Sequence, residues 1–434
     1  MKRLKKPLWL LLILLVVMFF GWATTGIFVY IRIFLLLLLV LVTSNIWSLT
    51  SLEGIQIARR TRSLRSSVGK ILDEHFEVVN ISRWTRLWVE IKDNSPIPQK
   101  SGSRLLTNIG GLRQRSYTTR TRITRRGAYA LGPTLIKSGD PFGFFTNTKE
   151  YQSKETLIVY PFTVDIPYFP LPRGILPGGK EIYQKTLDVT PHATGVREYI
   201  PGDPMKRIHW QSTAKRNNFM VKVYEQDPQS EIWFFLDSQL GVQYSRPIRE
   251  TEKREDDFIN YRRTPIKLPE DTYEYSISVT ASLAKYFLHQ KKVVGLVSSG
   301  STVTVIPAER GERQIGKILE TLAFLKPDGE LPISGCVNMQ SKYLPLGSGV
   351  ILVTPSITDN ILFTIETLKW RKLHPMVILI LAEFIGGPER EGKSIFELEK
   401  REIPVFNIQC GQNLDSQLGN LRVDNQRTWM PGKN

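Results

Sequence analysis

A helical hairpin followed by a β-rich module and a doubly wound α/β domain is the fold class this sequence predicts. Three observations predict it. Two long apolar runs lie within the first 50 residues, a period-two pattern fills residues 71–161, and from Glu231 onward apolar strands alternate with helix-like stretches. The expected boundaries are 1–47 for the hairpin, 48–70 for a basic juxtamembrane segment and 71–161 for the β-rich module. Residues 162–194 read as a Pro/Gly-rich connection, 195–230 as a strand–turn–helix–strand unit, and 231–434 as the α/β domain.

The first run extends from Pro7 to Phe20 and the second from Ile27 to Trp47, separated by the break "GWATTG". Each is near the roughly 20 residues that cross a bilayer as a helix. The single charge inside them, Arg32, lies close enough to the start of the second helix to reach outward. "MKRLKK" precedes the first run and "ARRTRSLR" follows the second, whereas the loop between carries no Lys or Arg. The positive-inside rule then places both termini in the cytoplasm, as a two-helix, multi-pass membrane protein. The alternative is a cleaved signal peptide ending near Ala23, which leaves the second helix and its basic flank as they are.

A net charge of +17, from 58 Lys and Arg against 41 Asp and Glu, suits an anionic neighbour: a lipid surface, an acidic protein or nucleic acid. Within the β-rich module no acid occurs between Asn94 and Gly139, while Arg113, Arg115, Arg120, Arg122, Arg125 and Arg126 do. Arg120 and Arg122 fall on one face of a strand. A solvated face apposed to anionic lipid is the expected reading. No nucleic acid is expected, because aromatic residues are not interleaved with the arginines. "HFEVVNISRWTRLWVEIKDNSPIP" and "YTTRTRITRRGAYALG" alternate as strands punctuated by Gly and Pro, which suggests an antiparallel sandwich or barrel.

From Glu231, "EIWFFLD", "KVVGLVSSG", "GVILVTPS", "PMVILILAEF" and "IPVFNIQCG" read as buried strands, with four helix-like stretches between them. Near-continuous apolar strands alternating with amphipathic helices imply a parallel sheet covered on both faces. Catalytic signals are poor. "GILPGGK" fits the phosphate-loop spacing, but Glu181 follows where a hydroxyl is needed and no buried strand precedes it. The five histidines are scattered singly, there is no G-x-S-x-G or H-E-x-x-H, and Cys336 and Cys410 make no metal-ligand spacing.

The most patterned stretch is "GVREYIPGDPMKRIHWQSTAKRNNFMVKVYEQD". "VREYI" reads as a strand, Asp203 as a helix N-cap with Pro204 at the first helical position, and "NNFMVKVYEQ" as a returning strand. Arg207, Trp210 and Ala214, three and four apart, would form one helical stripe. The string R-x-Y-x-x-G-D-x-x-[RK]-x-I-x-W-x-x-[ST]-A-[RK] runs from Arg197 to Lys215 and takes in Tyr199, Gly202, Asp203, Arg207, Ile208, Trp210 and Ala214, with Lys206 at its first [RK] position. It resembles the signature of the domain-of-unknown-function 58 family, and the order of parts along the chain is similar too. Lys215 stands where arginine is common.

"FFLDSQLG" places Asp237 at the end of the first α/β strand, where ligands bind in such sheets. It resembles the opening of the von Willebrand factor A metal motif, D-x-S-x-S, in which an Asp and two hydroxyls surround a divalent cation such as Mg²⁺. Gln239 and Gly241 replace the two serines, so a degenerate site without bound metal is expected, and no cofactor.

The resemblance implies association with a MoxR-type AAA+ ATPase and with a transglutaminase-like membrane protein. The role it implies is a non-enzymatic adaptor or assembly factor. Two rival readings stay open: a metal-assisted hydrolase using Asp237, and a basic nucleic-acid-binding membrane protein. For the signature itself, the readings are a buried ion-paired corner of Arg197, Asp203 and Arg207 plugged by Trp210, or a docking surface.

Overall fold

The computed structural model describes residues 6–98, 102–170, 193–201, 203–224, 231–246, 268–387 and 392–419. The chain divides into two compact units at Tyr160–Pro161.

The first unit opens with helices α1 (Lys6–Thr25) and α2 (Phe28–Thr50). Both are long and apolar enough to cross a membrane. They form an antiparallel pair in which the rings of Phe19 and Phe34 lie 5.7 Å apart. Their apolar windows are only 11% and 6% buried, unlike the core helix of a soluble domain. On α2 the usual pattern is inverted: Ser44 and Ser48 are buried while Leu35, Leu36, Leu39, Val42 and Leu49 face outward.

The strands that follow are β1 (Ile55–Thr61), β2 (Arg65–Ser67), β3 (Ile71–Asn80), β4 (Arg86–Asp93), β5 (Arg104–Ile109), β6 (Gln114–Arg122), β7 (Gly127–Ala130), β8 (Thr134–Gly139), β9 (Thr146–Tyr151) and β10 (Thr156–Tyr160). They make sheets of order β1-β3-β6, β5-β4-β8-β9 and β2-β10-β7. One core joins the first two. Ile55, Phe76, Val78 and Tyr117 come from one sheet and Val89, Ile91, Ile109 and Ile136 from the other, which is sandwich packing. The span 48–70, read from sequence as a juxtamembrane segment, carries β1 and β2. Arg59 and Arg60 therefore sit inside a sheet rather than in a basic linker.

A buried ionic cluster sits in this module. The Arg59 guanidinium donates to Glu74 through Nε at 3.0 Å and through Nη2, donates to Ser95 Oγ at 3.1 Å, and lies 3.3 Å from Asp93. The Arg59 side chain is 8% exposed, and those of Glu74 and Asp93 are 0% exposed. Arg59 also stacks over the Phe76 ring at 5.3 Å.

In the second unit, β11 (Ala193–Glu198) pairs antiparallel with β12 (Met220–Tyr224), and helix α3 (Trp210–Arg216) lies between them in sequence. The α/β part runs β13 (Ile232–Leu236), α4 (Thr272–His289), β14 (Val294–Ser299), β15 (Val303–Glu309), α5 (Glu312–Phe324), α6 (Ile333–Gln340), β16 (Gly349–Thr354), α7 (Asp359–Trp370), β17 (His374–Leu381), α8 (Gly392–Lys400), β18 (Val405–Gln409) and α9 (Leu414–Gly419). The sheet order is β15-β14-β13-β16-β17-β18. Alternate residues of β13 enter opposite cores: Ile232, Phe234 and Leu236 one, Trp233 and Phe235 the other. Both faces are covered, as the continuous apolar strands predict.

The sheet is parallel except for β15, which runs antiparallel to β14. The residues 300–302 between them suffice for a hairpin but not for the crossover that a parallel neighbour needs. Part of the expected 162–194 connection contributes to the core, through Val164, Ile166 and Phe169. "GILPGGK" lies outside the described residues.

Cys336 on α6 and Cys410 are both buried. Burial, with Asp237 nearby, pushes the Cys336 thiol up to about 11. Burial, with Asp271 and Glu270 nearby, pushes Cys410 to about 12. Thiolate is the reactive form, so both should resist alkylation. Iodoacetamide treatment of the native protein is expected to add no mass by intact-protein spectrometry, and treatment in denaturant to add two groups.

Candidate functional site

The signature forms a hydrogen-bonded corner. β11 and β12 pair with Arg197 opposite Val221 and Glu198 opposite Met220, and the Tyr199 N–H donates to Phe219 O at 2.8 Å. The turn after β11 is closed by Asp203. Its Oδ2 accepts from the Ile200 N–H at 3.0 Å, and its Oδ1 lies 2.6 Å from the Arg197 Nη2. Gly202 and the Arg207 side chain lie outside the described residues.

The helix start differs from the expectation. A 3-10 turn occupies Met205–Arg207, the backbone re-extends at Ile208, and α3 begins at Trp210. Its N-cap is His209, whose Nδ1 accepts from the Ser212 N–H at 3.3 Å. Asp203 is spent on the preceding turn and cannot cap the helix. The stripe of Arg207, Trp210 and Ala214 is broken, since Arg207 belongs to a separate turn.

Thr213 ties the helix to the returning strand: its Oγ1 donates to His209 O at 3.1 Å and accepts from the Met220 N–H at 3.0 Å. This residue occupies the hydroxyl position of the signature string, which is the signal that sequence reasoning could have used. On the returning strand, Met220 and Val221 are both buried, so strict alternation fails there.

Trp210 does not plug the corner, and the Arg197–Asp203 pair is only partly buried. The Arg197 side chain is 38% exposed, Trp210 is 66% exposed, and Ala214 and Lys215 face solvent. Ile208 is the buried anchor. Ile200, Met205 and Phe219 are also exposed, so four large apolar side chains of this short unit are uncovered in the structure. Solvent screening limits the ion pair to about 0.2–1 kcal/mol. Arg197→Ala is therefore expected to lower stability by about 1 kcal/mol or less in chemical denaturation, well short of a buried-pair loss.

The strand-tip site is organised around Asp237, which follows β13 at the centre of the sheet. Here the chain passes from β13 to β14 on one side and later returns to β16 on the other, the position where open α/β sheets bind ligands. Asp237 is 1% exposed. Its Oδ2 accepts from the Thr354 hydroxyl at 2.7 Å and its Oδ1 from the Gln239 N–H at 3.1 Å. Burial raises the carboxyl above the ordinary carboxylate range, and these two bonds counteract the rise.

The neighbouring Ser238 points elsewhere, its Oγ lying 2.9 Å from Tyr273 OH and 2.7 Å from Ser298 Oγ. Gln243 donates to Asp237 O at 2.9 Å and accepts from the Thr272 hydroxyl at 2.8 Å. Thr354, Thr272 and Tyr273 were not legible as partners, because they come from distant segments; Gln243, six residues after Asp237, is brought back by the 3-10 turn at Leu240–Val242, which no pattern in the sequence marks.

This donor set does not suit a hard divalent cation. It offers one carboxylate with both oxygens already accepting hydrogen bonds, Gln239 and Gly241 supply no hydroxyl, and Ser238 turns into its own network. Among the described residues no three His, Cys, Asp or Glu side chains gather as a metal site.

The six arginines of the β module do not form one basic face. Arg115, Arg120 and Arg122 lie on β6; Arg113 and Arg125 are exposed in turns, and Arg126 is half-buried. β3 runs alongside β6 and supplies the missing acids: Asp73 lies opposite Arg120, with a 3.2 Å ion pair, and Glu77 lies opposite Ser116.

A helical hairpin carrying a β-sandwich, an exposed strand–helix corner and a mixed six-stranded α/β domain thus defines the class of protein. Residues 195–256 match the model of the family described as protein of unknown function DUF58. The match takes in the whole signature string. The chain is 24% identical to the uncharacterized protein YeaD of Bacillus subtilis (strain 168) over 306 residues, 69% of this chain and 68% of that one.

Among solved structures, the CARDB domain of a Pyrococcus furiosus protein superposes with a TM-score of 0.18 at 10% identity, covering 24% of this chain and 91% of that one. Proximal thread matrix protein 1 of the mussel byssus superposes with a TM-score of 0.28 at 12% identity, covering 44% and 46%. Superpositions this loose define no shared fold.

Proposed function

We propose that the chain is a membrane-anchored, cytosol-facing adaptor or assembly factor that presents its signature corner to a MoxR-type AAA+ ATPase. The observation that carries this reading is the division of labour within the corner. Backbone and buried side chains are tied by Asp203, Thr213, Ile208 and Met220, while Trp210, Met205, Ile200 and Phe219 are left uncovered. A rigid frame displaying aromatic and Met side chains has the composition of an interaction surface core.

The inverted burial of α2 and the basic flanks of the hairpin support a two-helix membrane anchor with both ends on the cytoplasmic side. The α/β domain is read as von Willebrand factor A-like. Its strand order, its antiparallel edge strand and Asp237 at the strand tip favour that reading. Its strand tip serves as scaffold, since the Asp237 oxygens are held internally. The partner's identity rests on the resemblance carried by the signature.

The test is in-cell crosslinking, purification from native membranes, and mass spectrometry of bound proteins for wild type and for Met205→Ser/Trp210→Ser. Both substituted side chains are exposed, so the variant is expected to fold. Recovery of an AAA+ ATPase with the wild type and its loss with the folded variant support the adaptor role. Absence of any such ATPase from the wild-type sample contradicts it.

A further inference from the structure

The end of the β module from which α2 emerges carries a set of exposed apolar side chains that the core does not use. α2 hands over to β1 with no slack: the Ser51, Glu53 and Ile55 N–H groups bond back to Ser48, Thr50 and Leu52 carbonyls. Two turns are fixed directly against this junction. The Ile81 N–H donates to Gly54 O at 2.8 Å, and Arg86 Nη2 donates to Glu53 O at 2.6 Å.

Asn80, 0% exposed, staples both turns by donating to Trp84 O, Ile109 O and Gly110 O. The Leu112 N–H donates to Ser82 O at 2.9 Å. At Gly111 the turns pass so closely that a Cβ would lie 2.1 Å from Arg83 O.

The tips of these tied turns are apolar. Trp84 is 79% exposed, Leu112 71% and Ile81 52%. Leu112 holds φ 58, a conformation that glycine or asparagine adopts at lower cost, and its side chain makes no core in return. Arg83 and Arg113 are exposed beside them. On the helices, Trp9 and Trp47 are exposed near the ends of the antiparallel pair on this same side. Trp is the residue that seats at a membrane–water boundary.

Resting on the membrane-anchor reading, we propose that the turns at 81–85 and 110–113 are an interfacial foot. Trp84, Leu112 and Ile81 enter the headgroup–acyl boundary of the bilayer that holds α1 and α2, and Arg83 and Arg113 bind anionic lipid phosphates. The chemistry is that of an interfacial apolar wedge with a basic rim. The foot fixes the angle at which the sandwich stands on the membrane, so the hairpin does not act as a swivel.

The test uses the full chain reconstituted in vesicles of phosphatidylcholine and phosphatidylglycerol. Single cysteines replace Trp84, Leu39 in the middle of α2, and Ser63 at the far end of the sandwich. Each is labelled with a fluorophore; the two native thiols are buried. Quenching is read with lipids carrying a nitroxide near the headgroup.

The expected result is a loss of emission at Trp84→Cys well above that at Ser63→Cys, reduced when Arg83→Glu and Arg113→Glu are added. Leu39→Cys, read with a nitroxide deep in the acyl chain, must also be quenched. Quenching at Leu39→Cys with Trp84→Cys no higher than Ser63→Cys overturns the foot and leaves the anchor standing. No quenching at Leu39→Cys overturns the anchor itself. A Trp84→Cys signal unchanged by the two Glu substitutions overturns the phosphate contact.

Discussion

Replacing Arg59 by Ala is expected to destabilise the β module by about 3–5 kcal/mol, because it strands buried carboxylates without their cation. Arg59 lies on β1, Glu74 on β3, and Asp93 at the end of β4, so one guanidinium ties together strands of both halves of the sandwich. Ser95 extends the tie, accepting from Arg59 at 3.1 Å and from the Gly132 N–H at 2.7 Å. Glu74→Ala is expected to cost a similar amount. An apolar exchange of Arg59→Met with Glu74→Leu should recover only part of the loss, since Asp93 stays buried and still loses the guanidinium 3.3 Å away. Urea unfolding of the detergent-solubilised chain, followed by fluorescence, measures all three. A loss below about 1 kcal/mol for Arg59→Ala would mean that solvent reaches the cluster.

The second large effect is at Asp237. Asp237→Ala removes the buried acceptor of the Gln239 N–H and leaves the Thr354 hydroxyl only the Ser356 carbonyl, 3.0 Å away, an expected loss of about 1–3 kcal/mol. Asp237→Asn keeps an acceptor oxygen and the shape, and removes the charge. The Asp237 carboxyl is raised in the folded state, chiefly by burial. The folded protein then holds its proton more tightly than the unfolded chain does, so this group's contribution to stability is greatest below the unfolded value of about 3.9. It declines as pH rises through the interval up to the raised value, and stays lowered above it. Asp237→Asn is expected to remove that decline and to match or exceed the wild-type melting temperature at neutral pH. Thermal melts of both proteins across the acidic range check the sign. A neutral-pH loss for Asn equal to that for Ala would show that the charge itself is needed.

Much of the architecture was legible because it rests on local pattern. The two apolar runs became α1 and α2, and "IWFFL" and "GVILVT" became strands buried on both faces. Elements defined by distant neighbours were not legible. β15 reverses because of a short turn rather than any composition signal. Arg59 and Arg60 looked like a membrane-facing run, yet period two sends Arg59 inward to Glu74 and Arg60 outward beside Glu77.

The arginine-rich 113–126 span looked uncompensated because its acids lie on β3, some 40 residues earlier in sequence. At the signature, the charged residues drew attention as an ion-paired corner with Trp210 as its plug, while the structure gives the anchoring to Ile208, Thr213 and Met220 and exposes Trp210. Sequence spacing could not tell an N-cap Asp203 from a turn-closing one, since both use the same oxygen and the same kind of backbone N–H.

The most direct measurement of the adaptor role is photo-crosslinking from the corner itself. A photoreactive phenylalanine replaces Trp210 in one strain and Trp370, an 89% exposed residue of α7, in another. Irradiated cells are solubilised and the covalent adducts are identified by mass spectrometry. An AAA+ ATPase adduct is expected from position 210 and none from position 370. An ATPase adduct from 370 alone, or from neither position, would contradict the adaptor role.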